Sequence, residues 1–249
     1  MTTKIILIPV ISLFLAMGNR ATAQTSNSRQ PLEREPQTAE DINKLAPEDT
    51  YALPWGQITE TNILWKKRVW RELDINEAGN EAFQHKPDAP DFANMLIGAI
   101  GSGIIKAYDA EDRGRFSKEF SSAQFTELMT SGKNPANNFS PEKVIKYRFK
   151  EDWLFLEKEH KMVVRIVGIA PVIKVTNPDG TSSEQEVFWL YYPNIRNFLA
   201  QHPANTGDAL RKMNWDELFE SRNFKSKITK VSAYNGPWTK EKSSGSSGK

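Results

Sequence analysis

The chain has 249 residues, with 33 Lys+Arg against 31 Asp+Glu and no Cys. The missing Cys excludes a disulfide framework, a lipidated N-terminal Cys and any Cys-ligated metal. The near balance of charge lacks the basic footprint of a nucleic-acid binder.

The first segment is an export signal. Lys4, an apolar run over residues 5–17 and Ala21-Thr22-Ala23 match the positive, apolar and small-residue parts of a secretory leader. The run is too short for a membrane span, and an uncleaved anchor is the alternative. Cleavage after residue 23 removes Lys4 and Arg20 and no acid, leaving 31 residues of each sign. No second long apolar run follows, so a soluble mature chain is expected. Its roughly 225 residues suffice for one large domain or two small ones.

Residues 24–50 form a polar arm with Pro31, Pro36 and Pro47 and no aromatic residue. Such a composition cannot bury enough apolar surface to fold alone. It is either a linker or a binding arm, and in the second case Leu32, Ile42 and Leu45 are the candidate anchors.

The elements then run as follows. Residues 59–73 are predicted helical, with Ile63, Val69, Trp70 and Leu73 on one side and Lys66, Lys67 and Arg71 on the other. Trp65 falls off that apolar side and precedes a basic run. It is the candidate partner-interface residue of the folded part, with semi-buried packing as the alternative. Residues 91–106 are a second predicted helix, capped by Asp91. Gly98, Gly101 and Gly103 weaken it by about 1 kcal/mol each in a helix interior, which implies close packing or an early end near Gly101. Residues 121–130 are a short third helix.

Residues 144–192 are the β region. Ile145, Tyr147 and Phe149 alternate with Lys146, Arg148 and Lys150, the period of a half-buried strand. Residues 157–161 suit a turn, and residues 162–169 are dense enough in β-branched side chains for a central strand. Pro171 is expected to break the chain before a strand at 172–176. Asn177-Pro178-Asp179-Gly180 is a turn signal, and residues 186–192 form the last strand. Residues 194–201 and 214–220 are further helices. The prediction is an α+β fold: an antiparallel meander of about four strands flanked by helices, in one main domain over residues 51–235. Residues 236–249 are a flexible tail, its Gly/Ser-rich end natural or added in cloning.

Catalytic chemistry is poorly represented. His85, His160 and His202 fall in no paired-ligand motif. Asp109, Glu111 and Asp112 lack the Gly and terminal Glu of a calcium loop. Ser102 is in no nucleophile elbow, and the glycines at 98, 101 and 103 make no dinucleotide fingerprint. No catalytic residue, metal ligand or cofactor site is assigned. What is abundant is Trp, with seven in the chain. Trp serves both cores and binding hot spots.

Several blocks carry a resemblance. Arg148-Phe149-Lys150-Glu151-Asp152-Trp153 followed by Val164-Arg165-Ile166-Val167-Gly168-Ile169-Ala170-Pro171 resembles the GldN/PorN family of the type IX secretion and gliding-motility machinery. Pro54-Trp55-Gly56 and the run from Leu64 to Asp74 are similar to its opening block. Gly103 to Asp109, then Phe188 to Pro193, then Asn214 to Phe219 with Arg222, follow in order. The resemblance implies a periplasmic, non-enzymatic ring subunit. It further implies an outer-membrane lipoprotein partner of GldK/PorK type, contact with the periplasmic part of a GldM/PorM-type motor protein, and membrane association only through partners. The runner-up is a secreted enzyme or small-ligand binding domain. An adhesin or stalk module would show repeats, and none is found.

Overall fold

The computed structural model describes residues 51–86, 91–130, 139–204 and 213–232. The predicted export signal, the arm with Leu32, Ile42 and Leu45, and the tail lie outside the described residues.

The fold is mixed α and β, built on one antiparallel sheet. Its strands are β1 (Ile63–Asp74), β2 (Tyr108–Asp109), β3 (Val144–Leu156), β4 (Lys161–Thr176), β5 (Ser182–Glu186) and β6 (Phe188–Tyr191). A small pair, β7 (Pro203–Ala204) and β8 (Met213–Asn214), lies apart, and β9 (Lys227–Val231) returns to the main sheet. That sheet runs β2-β6-β4-β3-β1-β9, with β5 also paired to β4. It thus has seven strands rather than about four. Four helices accompany it among the described residues: α1 (Phe92–Gly101), α2 (Ser122–Thr130), α3 (Tyr192–Ala200) and α4 (Trp215–Glu220).

The predicted first helix is the main correction. Residues 63–74 are strand β1, which pairs with β3 along its whole length, from Ile63 opposite Leu156 to Asp74 opposite Lys146. Ile63, Val69, Trp70 and Leu73 fit a helical stripe only loosely. The pattern that decides is period 2, with Trp65, Val69 and Leu73 on one face and Trp70 on the other. Trp, Val and Ile also favour a pleated, half-buried surface. Pro171 does not break the chain either, because β4 passes through it without interruption. Pro171 sits where the neighbour of β4 changes, from β6 at Gly168–Ile169 to β5 at Val172. A residue without an N–H is tolerated at such a discontinuity.

The remaining predictions fare better. The turn at 177–180 forms, with the Gly180 N–H bonded to the Asn177 carbonyl at 2.9 Å and Gly180 at φ 81°. Helix α1 begins at its Asp91 cap, which accepts from the Asn94 N–H at 2.8 Å, and stops at Gly101. Open space surrounds Gly98 and Gly101, so close packing explains neither; the early end accounts for Gly101, while Gly98 stands exposed within the helix. Helix α4 carries a reciprocal capping box between Asn214 and Glu217.

The main core lies between the helices and one sheet face. Phe92, Leu96 and Ile100 of α1, Ile195 and Leu199 of α3, and Trp215 and Phe219 of α4 meet Tyr147 and Phe149 of β3 and Ile166 and Ile169 of β4. Because side chains alternate along a strand, Lys146, Arg148 and Lys150 point to the opposite face. That face is charged.

Candidate interaction surface

The charged face combines ionic pairs with a small apolar cluster of Tyr108, Trp189 and Tyr191. Arg148 donates to Glu72 at 2.8 Å and to Glu186 at 3.1 Å. Burial lowers the basicity of Arg148, but these carboxylates outweigh that and hold its pKa above the ordinary guanidinium range. Asp152 is buried and takes Arg68 and, at 2.9 Å, Lys66. Burial pushes its carboxyl up; the two cations more than offset this, and its pKa is lowered. Lys150 is 2% exposed, and its ammonium donates to the Gly114 carbonyl at 2.6 Å.

Gly114 belongs to a loop to which no motif or periodicity assigns a role. Residues 110–117 fold back over the sheet face, with left-handed backbone at Arg113 (φ 52°), Gly114 (φ 70°) and Phe116 (φ 60°). Such a conformation costs a non-glycine residue roughly 1–3 kcal/mol unless the surroundings impose it. Here they do. The fully buried Asp112 accepts from the Ser117 N–H at 2.6 Å, the Ser117 hydroxyl at 2.8 Å and Arg115 at 3.2 Å. Burial raises the Asp112 pKa, the Ser117 and Arg115 hydrogen bonds lower it further than that, and the net shift is downward. Phe116 presses onto Gly168 of β4, where a Cβ would stand 2.6 Å from the ring.

Between this loop and strands β1, β3, β5 and β9 lies an open groove of about 620 Å³. Arg113 and Arg115 line the loop side, Trp70 and Lys230 the opposite side, and Glu184 and Glu186 one rim. The Lys230 ammonium lies 4.7 Å from the centre of the Trp70 ring, a cation–π distance. In total five cationic and three acidic side chains line the groove. The arrangement suits an extended anionic segment with some apolar character.

A second concavity, of about 500 Å³, is built round Glu151. This carboxylate is fully buried and bonded to Arg71 at 3.1 Å, to the Trp153 indole N–H at 2.8 Å and to Arg222. All its partners are donors that fix it in place.

Trp65, the residue predicted for a partner interface, lies in neither concavity. It is half-buried, stacked on Phe155 at 6.1 Å, with the Lys67 ammonium 5.9 Å from its ring. Two of the three histidines make internal contacts: His85 pairs with the helix cap Asp91 at 2.6 Å, and His202 bonds the Phe198 carbonyl at 2.7 Å. Among the described residues no cluster of His, Asp and Glu has metal-binding geometry. Sequence reasoning misses the groove residues Trp70, Arg113 and Lys230. The available signal is the alternation that sets Trp70 and Glu72 beside Lys146, Arg148 and Lys150, and a helical assignment of residues 59–73 conceals it.

Several resemblance blocks meet round one ring. The Trp55 ring lies between the guanidinium groups of Arg165 (4.5 Å) and Arg196 (4.3 Å), and its indole N–H donates to Glu220 at 2.8 Å. Arg196 makes a two-pronged bond to Asp216 at 2.8 and 2.9 Å. Burial brings the Arg165 pKa down to about 10. The segment at 51–56 is thereby fastened to α3, α4 and β4.

No individual curated protein matches the chain. The family model described as gliding motility associated protein GldN matches residues 58–247. That span includes every strand and helix described above, so the chain belongs to the GldN family, which associates it with gliding motility and type IX secretion.

Proposed function

We propose that this chain is a non-enzymatic structural subunit of a periplasmic ring in the type IX secretion and gliding apparatus. In this reading residues 1–23 export it and are removed. It assembles with copies of itself and with an outer-membrane lipoprotein of GldK/PorK type. It also meets the periplasmic part of a GldM/PorM-type motor protein, and it reaches the membrane only through these partners. The observation that carries the reading is the family match over residues 58–247. The build of the domain supports it. Buried charges are tied to one another, the groove offers cations and an aromatic wall, and no helix among the described residues is long and apolar enough to cross a membrane.

The test is isolation of the tagged mature protein from cell envelopes under mild detergent. The expected result is co-isolation of the lipoprotein and motor subunits in large particles. Recovery of the chain alone, as a small soluble species, would overturn the reading.

A further inference from the structure

We propose that the cationic groove on the charged sheet face receives the N-terminal segment 24–50 of a second copy of this chain. The proposal rests on the self-assembling reading above and names the surfaces that would join. Charge complementarity is the first support. Segment 24–50 contains six acids (Glu33, Glu35, Glu40, Asp41, Glu48, Asp49) against Arg29, Arg34 and Lys44. The groove has the opposite balance, with five cations to three carboxylates. Two of its acids are engaged internally, Glu186 by Arg148 and the Trp189 indole and Glu184 by Lys146. So are three of its cations, Arg148 by Glu72 and Glu186, Arg115 by Asp112 and the buried Lys150 by the Gly114 carbonyl, which leaves Arg113 and Lys230 against Glu111. Arg113 and Lys230 have no carboxylate partner among the described residues and face the open volume.

The second support is where the segment leaves the domain. The Tyr51 N–H donates to Asn197 at 2.7 Å, and the Leu53 N–H to Asp216 at 2.7 Å. Both acceptors belong to the helices that cover the apolar sheet face, and the groove lies on the other face. Donor and receptor surfaces therefore sit on opposite sides of one subunit. A contact between two different surfaces is heterologous and propagates round a ring, whereas a self-complementary patch closes as a dimer. The third support is chemical fit. Leu32, Ile42 and Leu45 are each within two residues of an acid or next to a base, so an extended segment can set an aliphatic group on Trp70 and a carboxylate on Lys230 or Arg113. At about 3.3 Å per residue a segment of this length spans up to ~90 Å. Reach therefore does not exclude the chain's own groove, and the experiment must separate the two.

The absence of Cys makes that separation clean. One full-length mature preparation carries Asn43→Cys in the segment, and another carries Glu184→Cys at the groove rim. Mixed under mild oxidation, they are expected to form a disulfide-linked pair of unlike chains. Ala123→Cys, exposed on α2 on the helix-covered side, is the control partner and is expected to link poorly. Arg113→Glu and Lys230→Glu, singly and together in the rim chain, are expected to lower the yield, roughly tenfold for the pair, because complementary charge sets encounter. Circular dichroism of each variant confirms that it is folded. A yield equal to the control, or one unchanged by charge reversal, overturns the proposal. So does a link that forms only within a doubly substituted chain, which would assign the groove to the chain's own segment. Neither lipoprotein nor motor subunit is present, so failure here leaves the partner isolation experiment to be judged separately.

Discussion

Replacing Gly168 with Ala tests whether the loop at 110–117 is held by the sheet beneath it. A Cβ at this position would stand 2.6 Å from Phe116 Cζ and 3.1 Å from Trp189 Cε3. Ordinary carbon–carbon contact is about 3.5–4.0 Å, so the Phe116 ring must retreat by about 1 Å. It has little room to do so. Its ring is set against Tyr191 at 4.9 Å and Tyr108 at 5.5 Å, and its backbone is fixed at φ 60° beside the Asp112–Ser117 hydrogen bonds. Overpacking of this kind costs about 1–3 kcal/mol. At about 2–4 °C per kcal/mol for a domain of this size, the melting temperature should fall by roughly 2–12 °C. The discriminating variant is the double one. Phe116→Ala removes the obstructing ring, so adding Gly168→Ala to it should cost at least about 1 kcal/mol less than the sum of the two single changes. Urea denaturation followed by Trp fluorescence, with calorimetry, measures all four corners of the cycle. Additivity to within about 0.5 kcal/mol would refute the claim that Phe116 rests on Gly168.

Three other outcomes are expected. Ile166→Asp places a carboxylate in the apolar core where Ile166 is 1% exposed, a loss of about 3–5 kcal/mol out of a typical 5–15; low cellular abundance and rapid proteolysis report it, and normal levels of folded protein would contradict it. Asp112 and Asp152 have lowered native pKa values, so the stability they contribute is complete above the unfolded value of about 3.9 and is lost as pH falls through the native values. Unfolding temperatures between pH 5 and 2.5 should thus drop less steeply in Asp112→Asn than in the parent, from a lower starting point. Replacing all three His should leave secretion largely intact while slightly lowering stability, because His85 orients the Asp91 cap of α1; loss of secretion by a stable, abundant triple variant would bring a catalytic or metal role back.

What the sequence made legible was local. The hairpin of β3 and β4 could be read because Tyr147 and Phe149 alternate strictly with charged residues and a polar turn separates two β-rich runs. Helix α1 announced itself by Asp91 at its cap, and α4 was read from residues 214–220, its Asn214 capping box showing only in the structure. Strand β1 could not be recognised so easily, because it carries charge on both faces. Lys67 and Arg71 share a face with Val69 and Leu73, while Trp70 shares one with Arg68 and Glu72. A strand charged on one face and mixed on the other shows no clean period. Strand β9 is five residues long and exposed throughout, so burial left no mark on its composition. The loop at 110–117 depends on a distant glycine and a buried Asp, and spacing along the chain does not reveal either partner. The groove was missed for the same reason: β3 could be read, but the facing walls on β1, β9 and this loop are the parts least visible in sequence.

The division between the two sheet faces bears on function. The helix-covered face contains the main apolar core, with smaller clusters round Trp189 and round Leu154. The other face buries Lys150, Asp152 and part of Arg148, whose ionic pairs stabilise no better than apolar residues of the same volume would. Over it lies a loop with two non-glycine residues in left-handed backbone, whose Phe116 closes a small apolar cluster with Tyr108, Trp189 and Tyr191. Burial accounts for that part of the face. The charged part beside it is what the proposed contact uses. A rigid, charged surface chooses among partners and speeds encounter more than it adds raw affinity. On the proposed reading, a subunit that must find the right neighbour among many exported proteins has use for such a surface. The Trp70 ring beside Lys230 supplies the apolar part of the contact, and Arg113, held outward by its strained backbone, supplies charge without first having to be ordered.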